Sequence, residues 1–165
     1  MALAVLDLDH FKSINDRYGH VVGDAVLKAA AEALHADKNV QAFRIGGEEF
    51  VLLAHGKPKD AHSRAERRRQ AISAIVANAV PGLDGPVTAS MGMVLAPPYS
   101  DMSFTELYDE ADKLLYAAKQ AGRNRVIFAT AQRAQNNVCL TDGNPGEHSA
   151  ANVNHMLPTT MTGRI

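Results

Sequence analysis

Phe43-Arg44-Ile45-Gly46-Gly47-Glu48-Glu49-Phe50 joins two apolar stretches through a pair of glycines and follows them with a pair of carboxylates. Glycine reaches positive φ at little cost, so the pattern predicts a β-hairpin that presents acids at its rim. Val40 to Ile45 and Phe50 to Ala54 are the expected arms. A second acid pair, Asp7 and Asp9, closes another apolar run, Ala2 to Leu6. Two acid-tipped strands in one small domain point to a cation site, and basic residues beside them point to phosphoryl chemistry.

Outward from the hairpin, the remaining elements follow from periodicity and breakers. Phe11 to Tyr18 fits a short helix stopped by Gly19. A long alanine-rich helix opens at Asp24, with Val26, Leu27, Ala30, Ala31 and Leu34 at helical spacing. Ala61 to Val80 predicts a third helix, broken by the stretch from Pro81 to Pro86. Val87 to Leu95 alternates like a strand, Phe104 to Ala121 like an amphipathic helix stopped at Gly122, and Val126 to Phe128 makes a brief last strand. Beyond that the pattern dissolves into Asn, Gln, Thr, Gly and Pro. One α+β domain, a layered α/β sandwich with a mixed central sheet flanked by helices, is therefore expected over 1–128, followed by a poorly ordered tail over 129–165. In such a fold the Ala2 strand and the hairpin are expected to be neighbours, which brings Asp7, Asp9, Glu48 and Glu49 together.

Composition narrows the function. With 17 Lys and Arg against 18 Asp and Glu, the net charge of -1 offers no positive field for nucleic acid or acidic membranes. Cys139 is the only cysteine, which excludes an intrachain disulfide or thiolate cluster and favours a reducing, cytoplasmic compartment. No apolar run is long enough for a membrane span.

The acids suit Mg²⁺, with Mn²⁺ as a substitute, because such hard cations take one or two carboxylates together with phosphate and water oxygens. Asp7 and Asp9 stand two apart, hence on one face of a regular strand, and the Leu8 carbonyl between them is a further oxygen donor. If the strand begins at the glycines, Glu48 and Glu49 point opposite ways, one to a metal and the other to an attacking hydroxyl or a structural pair. Taken singly, each pair equally fits solvated strand ends. The Asp9–Ser13 strand-to-helix junction exposes amides suited to phosphate. Asn15 and Asp24 have the donors and acceptors to read a guanine edge, although Asp24 also fits a helix N-cap and Asn15 a surface position. Lys119 and Arg123 either neutralise phosphates or complement the helix C-terminus. Arg44 fits a fork-shaped ion pair with an acid.

Taken together, Asp7-Leu-Asp-His-Phe-Lys-Ser-Ile-Asn15-Asp, Gly19-His20 with Gly23-Asp24, Arg44-Ile-Gly-Gly-Glu-Glu-Phe50, Thr88-Ala-Ser-Met-Gly92 and Ala111-Asp-Lys-Leu-Leu-Tyr116-Ala-Ala-Lys119-Gln-Ala-Gly-Arg123-Asn resemble the GGDEF domain of diguanylate cyclases, in its GGEEF variant. The resemblance spans Ala2 to about Phe128. It implies a palm-like nucleotidyl cyclase fold and the conversion of two GTP into cyclic di-GMP and pyrophosphate across a transient antiparallel homodimer. It also implies roles. Asp7, Glu48 and the Leu8 carbonyl hold the metal; Asn15 and Asp24 read guanine; Lys119, Arg123 and the amides of Phe11 and Lys12 hold phosphates. Glu49 helps activate the 3′-hydroxyl, and Gly46 and Gly47 admit the nucleotide closely. A GTP-binding regulatory module without turnover is the alternative.

Two departures carry expectations of their own. The basic-x-x-acidic product-inhibition site of many members is replaced by Asp37 and Val40, so strong inhibition there is not expected. The helix and Asp-x-Leu-Thr-Gly-Leu-x-Asn-Arg-Arg-like segment that usually precede the first strand do not appear ahead of Ala2. That suggests a fragment of a larger sensor protein, a misassigned start or a lost piece of scaffold, with thinner packing around the Asp7 strand.

Overall fold

The structure is a computed structural model that describes residues 1–35, 39–55, 58–97 and 100–131. Its elements run β1 (Ala2–Leu8), α1 (Phe11–Tyr18), α2 (His20–His35), β2 (Val40–Gly46), β3 (Glu49–Ala54), α3 (Pro58–Ala79), β4 (Ala89–Leu95), α4 (Phe104–Gln120) and β5 (Val126–Thr130). The strands form one five-stranded sheet in the order β2-β3-β1-β4-β5. All neighbours are antiparallel except β4 and β5, so the sheet is mixed as expected.

β1 lies at the centre because its residues up to Leu6 are all apolar and suit burial on both faces; all seven residues are buried, the acid Asp7 near its end included. Ala2, Ala4, Leu6 and Leu8 pack with α2 and α3, against Val26, Ala30, Ile72 and Val76. Leu3 and Val5 point the other way, onto Leu107, Ala111 and Leu115 of α4. The expected thin packing around this strand is not found. Exposed apolar side chains include Phe43 and Ile45 on β2 and Phe104 at the start of α4, at 50%, 47% and 57%.

β4 is buried at every residue, including the positions its alternation marks as the polar face. Gly92 is the reason. A Cβ there would overlap the backbone of α4 at Ala111 and Leu115, so the missing side chain lets the helix lie directly on the sheet. α4 itself starts from a capping box, with Ser103 accepting from the Glu106 amide and Glu106 accepting from the Ser103 amide.

Several boundaries move; β4, for one, starts at Ala89 rather than Val87. α2 starts at His20, immediately after Gly19 (φ +82), so Asp24 is inside the helix and not its cap. α3 starts three residues before Ala61, at Pro58, a residue well suited to a first helical turn. β5 continues past Phe128 to Thr130, and the Ala131 amide donates to Leu95. The remainder of the expected tail, from 132 onward, and Asp37 lie outside the described residues.

Candidate active site at the tip of the hairpin

The hairpin is tighter than its two glycines suggest. Gly46 is still paired with Glu49, and the two-residue turn is Gly47–Glu48, with Gly47 at φ +43 in the region that favours glycine. A register shift between Arg44 and Gly46 marks a bulge, which re-aims the end of the strand. Arg44 closes the turn by donating Nε–H to the Gly47 carbonyl at 2.8 Å, in place of the ion pair considered from sequence. The turn is also tied to the central strand, because the Leu8 amide donates to the Glu48 carbonyl at 3.3 Å. Glu48 is therefore held beside the end of β1.

Pairing then lines up three polar side chains on one transverse row. Asp7 stands opposite Glu49 on one side and opposite Ser90 on the other. Directly opposed residues share a face, and this one is covered by α4. Lys119, in the last turn of α4, brings its ammonium to 2.8 Å from Asp7 Oδ2. Burial pushes the Asp7 carboxyl up, the Lys119 hydrogen bond and charge pull it back, and the negative charges of Glu48 and Asp9 raise it further; the net shift is upward. Glu49 reaches the start of α4: burial first, and then the charges of Glu49, Asp112 and Asp109, raise the Tyr108 hydroxyl.

Asp9 behaves differently from its neighbour. It is 5% exposed, and its carboxylate accepts from Ser90 Oγ at 2.7 Å, Thr88 Oγ1 at 2.7 Å and the Asn124 amide at 3.1 Å. Those bonds use both oxygens. Asp9 is a fastener between β1, β4 and the turn after α4, and the expected four-acid cluster reduces to Asp7, Glu48 and Glu49. Among the described residues no group of three or more His, Cys, Asp or Glu is arranged to hold a metal ion. Two carboxylates and a carbonyl nevertheless fit a hard cation that draws its other ligands from phosphate and water.

Other expected residues gather along the same end of the sheet. His10 enters α1 in a left-handed conformation (φ 57) and its side chain gives no cap, so the first amides of that helix, at Phe11 and Lys12, have no side-chain acceptor from that position. Asn15 is half-buried, with its side-chain oxygen lying so close to Gly23 that any Cβ there would collide with it. That contact puts Asn15 next to Asp24 across the α1–α2 pair. Asp24 is exposed and lines a cavity of about 370 Å³ with Leu27, Lys28, His35, Arg44 and Phe50.

Arg123 lies beyond α4 in a turn of unusual backbone, with φ of 106 at Gly122, 61 at Arg123 and 48 at Asn124. Two successive non-glycine residues in the left-handed region cost roughly 1 kcal/mol or more each, so other contacts must impose the shape. Sequence reasoning assigned no role to the residues that impose it: Thr88, Ser90, Asn124, and Glu66 and Arg69 of α3. Only the i,i+3 spacing of Glu66 and Arg69 hinted at an ion pair.

Comparison with known proteins bears on the family and the fold. The chain is 42% identical over 132 residues to the diguanylate cyclase VdcA of Vibrio cholerae, covering 77% of this chain and 38% of that protein, so it spans well under half of that relative's length. Among solved structures, the GGDEF domain of DgcB from Caulobacter crescentus in complex with c-di-GMP matches with a TM-score of 0.66 at 33% identity, over 77% of this chain and 76% of that one. The active GGEEF domain of a diguanylate cyclase from Vibrio cholerae matches with a TM-score of 0.63 at 30% identity, over 77% and 81%. A family model described as diguanylate cyclase, GGDEF domain, matches residues 1–125, and the chain belongs to that family.

Proposed function

We propose that this chain condenses two GTP into cyclic di-GMP and pyrophosphate, as a catalytic domain that works in facing pairs. The observation that carries the proposal is the Asp7–Lys119 contact at 2.8 Å beside the Glu48 turn. Burial raises the Asp7 carboxyl, and its counter-charge is a flexible ammonium that can leave. Such a pair is suited to exchange: Asp7 and Glu48, with the Leu8 carbonyl, would hold a divalent cation, and Lys119 would then be free to reach phosphate oxygens. When bound, Mg²⁺ or Mn²⁺ supplies Lewis-acid polarisation of the α-phosphate and lowers the pKa of the attacking hydroxyl.

The protein side of the reaction is positioning and charge. Asn15 and Asp24 hold the guanine edge, the Phe11 and Lys12 amides and Arg123 hold phosphate oxygens, and Gly46 and Gly47 leave room for the nucleotide against the turn. In each half-reaction a 3′-oxygen of one GTP forms a bond to the α-phosphorus of the other. The bond from that phosphorus to the bridging oxygen breaks, pyrophosphate leaves, and the hydroxyl proton passes to a base near Glu49. Lys119 and Arg123 stabilise the charge that gathers on the leaving pyrophosphate. One site binds one GTP, so ring closure needs two copies facing in antiparallel fashion, each supplying the other's nucleophile. In a longer parent, an upstream sensory domain would control that encounter.

The test is incubation of the full chain with GTP and Mg²⁺ over a series of protein concentrations, with the product identified by mass. Cyclic di-GMP that rises more steeply than linearly with protein concentration supports the proposal. Saturable GTP binding with no product at any concentration would replace it with a GTP-binding regulatory module.

A further inference from the structure

Arg123 can meet a phosphate only if its turn is held in a conformation that its own residues disfavour. Gly122, Arg123 and Asn124 all have positive φ, and two of them carry side chains. Within the turn, the Arg123 amide donates back to Ala118 at 3.0 Å and the Arg125 Nε–H donates to the Arg123 carbonyl at 2.9 Å. Those bonds end the helix but do not attach the turn to the sheet.

The Met91 amide ties the Arg125 carbonyl to β4 at 2.9 Å, and Asn124 itself is held from two directions. From the acid tip, Asp9 accepts the Asn124 amide at 3.1 Å while Thr88 and Ser90 hold the same carboxylate from β4. From α3, Arg69 donates Nη1–H to the Asn124 side-chain oxygen and Nε–H to Glu66 Oε2 at 2.8 Å. The other oxygen of Glu66 accepts the Val126 amide at 3.3 Å, which fixes the first residue of β5. Arg69 is largely enclosed, its side chain 13% exposed, so its planar fork is aimed by packing as well as by its partners. Both directions converge on Asn124, the residue after Arg123.

We infer that Arg69 and Glu66 of α3, acting with Asp9 through Asn124, are positioning residues that hold the turn so that Arg123 faces the β- and γ-phosphates of GTP. The inference rests on the phosphate role proposed above for Arg123. Arg69 and Glu66 touch no nucleotide themselves. Their effect is to keep a cationic side chain in one direction, and loss of such placement reduces rate and affinity without removing any contacting group.

The discriminating measurement compares GTP with GMP, which lacks the β- and γ-phosphates. Affinities of the full chain for each, with Mg²⁺, are measured by calorimetry for the parent, Arg123→Ala and Arg69→Met, alongside thermal melts without nucleotide. Arg123→Ala sets the scale, by the fall it causes in the ratio of GTP to GMP affinity. Arg69→Met is expected to lower that ratio in the same direction, by about tenfold, while GMP affinity stays near the parent value. A parent-like ratio in Arg69→Met, or an equal loss for both nucleotides, overturns the positioning role, because general destabilisation does not single out the outer phosphates. A parent-like ratio in Arg123→Ala means that the phosphate assignment itself has failed, and the positioning role falls with it. Should Arg69→Met not fold, Glu66→Gln keeps an acceptor for the Val126 amide but withdraws the charge that holds Arg69. The same ratio, smaller in its change, then decides.

Discussion

Asp7 and Asp9 are two residues apart on one strand end, equally acidic and nearly equally buried, at 8% and 5% exposed. Their surroundings divide them. Asp9 accepts from two hydroxyls and a backbone amide, with both oxygens engaged and all three donors fixed by the fold. Asp7 has one partner, the ammonium of a flexible lysine, and its carboxyl is pushed up by burial and by neighbouring acids. A carboxylate tied by several donors from the fold serves as scaffold, whereas one with few partners in a buried place is available to the cation proposed above. The energetic reason is that an undercompensated buried acid destabilises the empty protein and is relieved by the ligand it binds.

The largest test of that contrast is Glu48→Ala. Removing the second acid of the Asp7 pocket is expected to lower cyclic di-GMP formation by on the order of 10³-fold, with circular dichroism and melting temperature close to the parent. Unchanged turnover would disprove the cation assignment. Next in size is Gly92→Ala, which forces α4 away from the sheet and carries Lys119 off Asp7. We expect a loss of about 3 kcal/mol in denaturant stability and weaker GTP binding; a neutral result would contradict the close helix–sheet approach. Asp9→Asn comes third. It places an amide donor among three donors and should cost about 2 kcal/mol in the same assay, whether or not nucleotide is present.

The smallest effect concerns pH and the Asp7 carboxyl. Because its folded pKa lies above the ordinary value of 3.8, the native state holds the Asp7 proton more tightly than the unfolded chain does. That contribution favours folding at low pH and is lost as pH rises through the raised value. Asp7→Asn abolishes this titration. Without metal, the variant is therefore expected to gain stability relative to the parent as pH climbs through that window, with the difference level above it. Urea titrations between about pH 3 and pH 7, a range set by ordinary carboxylate values, check the sign. A difference that shrinks with rising pH would contradict the upward shift of the Asp7 carboxyl.

Much of the architecture was legible because its signals are local. The β1 run, the Gly46-Gly47 hairpin, the Gly19 stop and the spacing of Leu107, Ala111, Leu115 and Ala118 each lie within one element. The start of α2 was misread for an equally local reason: Asp24 before an alanine run looks like a cap, while the chain had already turned helical at His20. The alternation over Val87 to Leu95 marks a strand but not its complete burial, which depends on α4 lying across Gly92. Asp9 was grouped with the metal acids for want of any sign that Thr88, Ser90 and Asn124 would meet it.

From residue order and type alone came the family, the mixed sheet, and the presence of acids and cations suited to GTP and a divalent metal, because apolar period, glycine placement and charge are properties of neighbouring residues. The division of labour between Asp7 and Asp9, and the hold of α3 on the Arg123 turn, came only from tertiary structure. Those depend on hydrogen bonds between residues about 55 to 115 positions apart, and the saturation of a buried polar group is settled by which distant donors reach it.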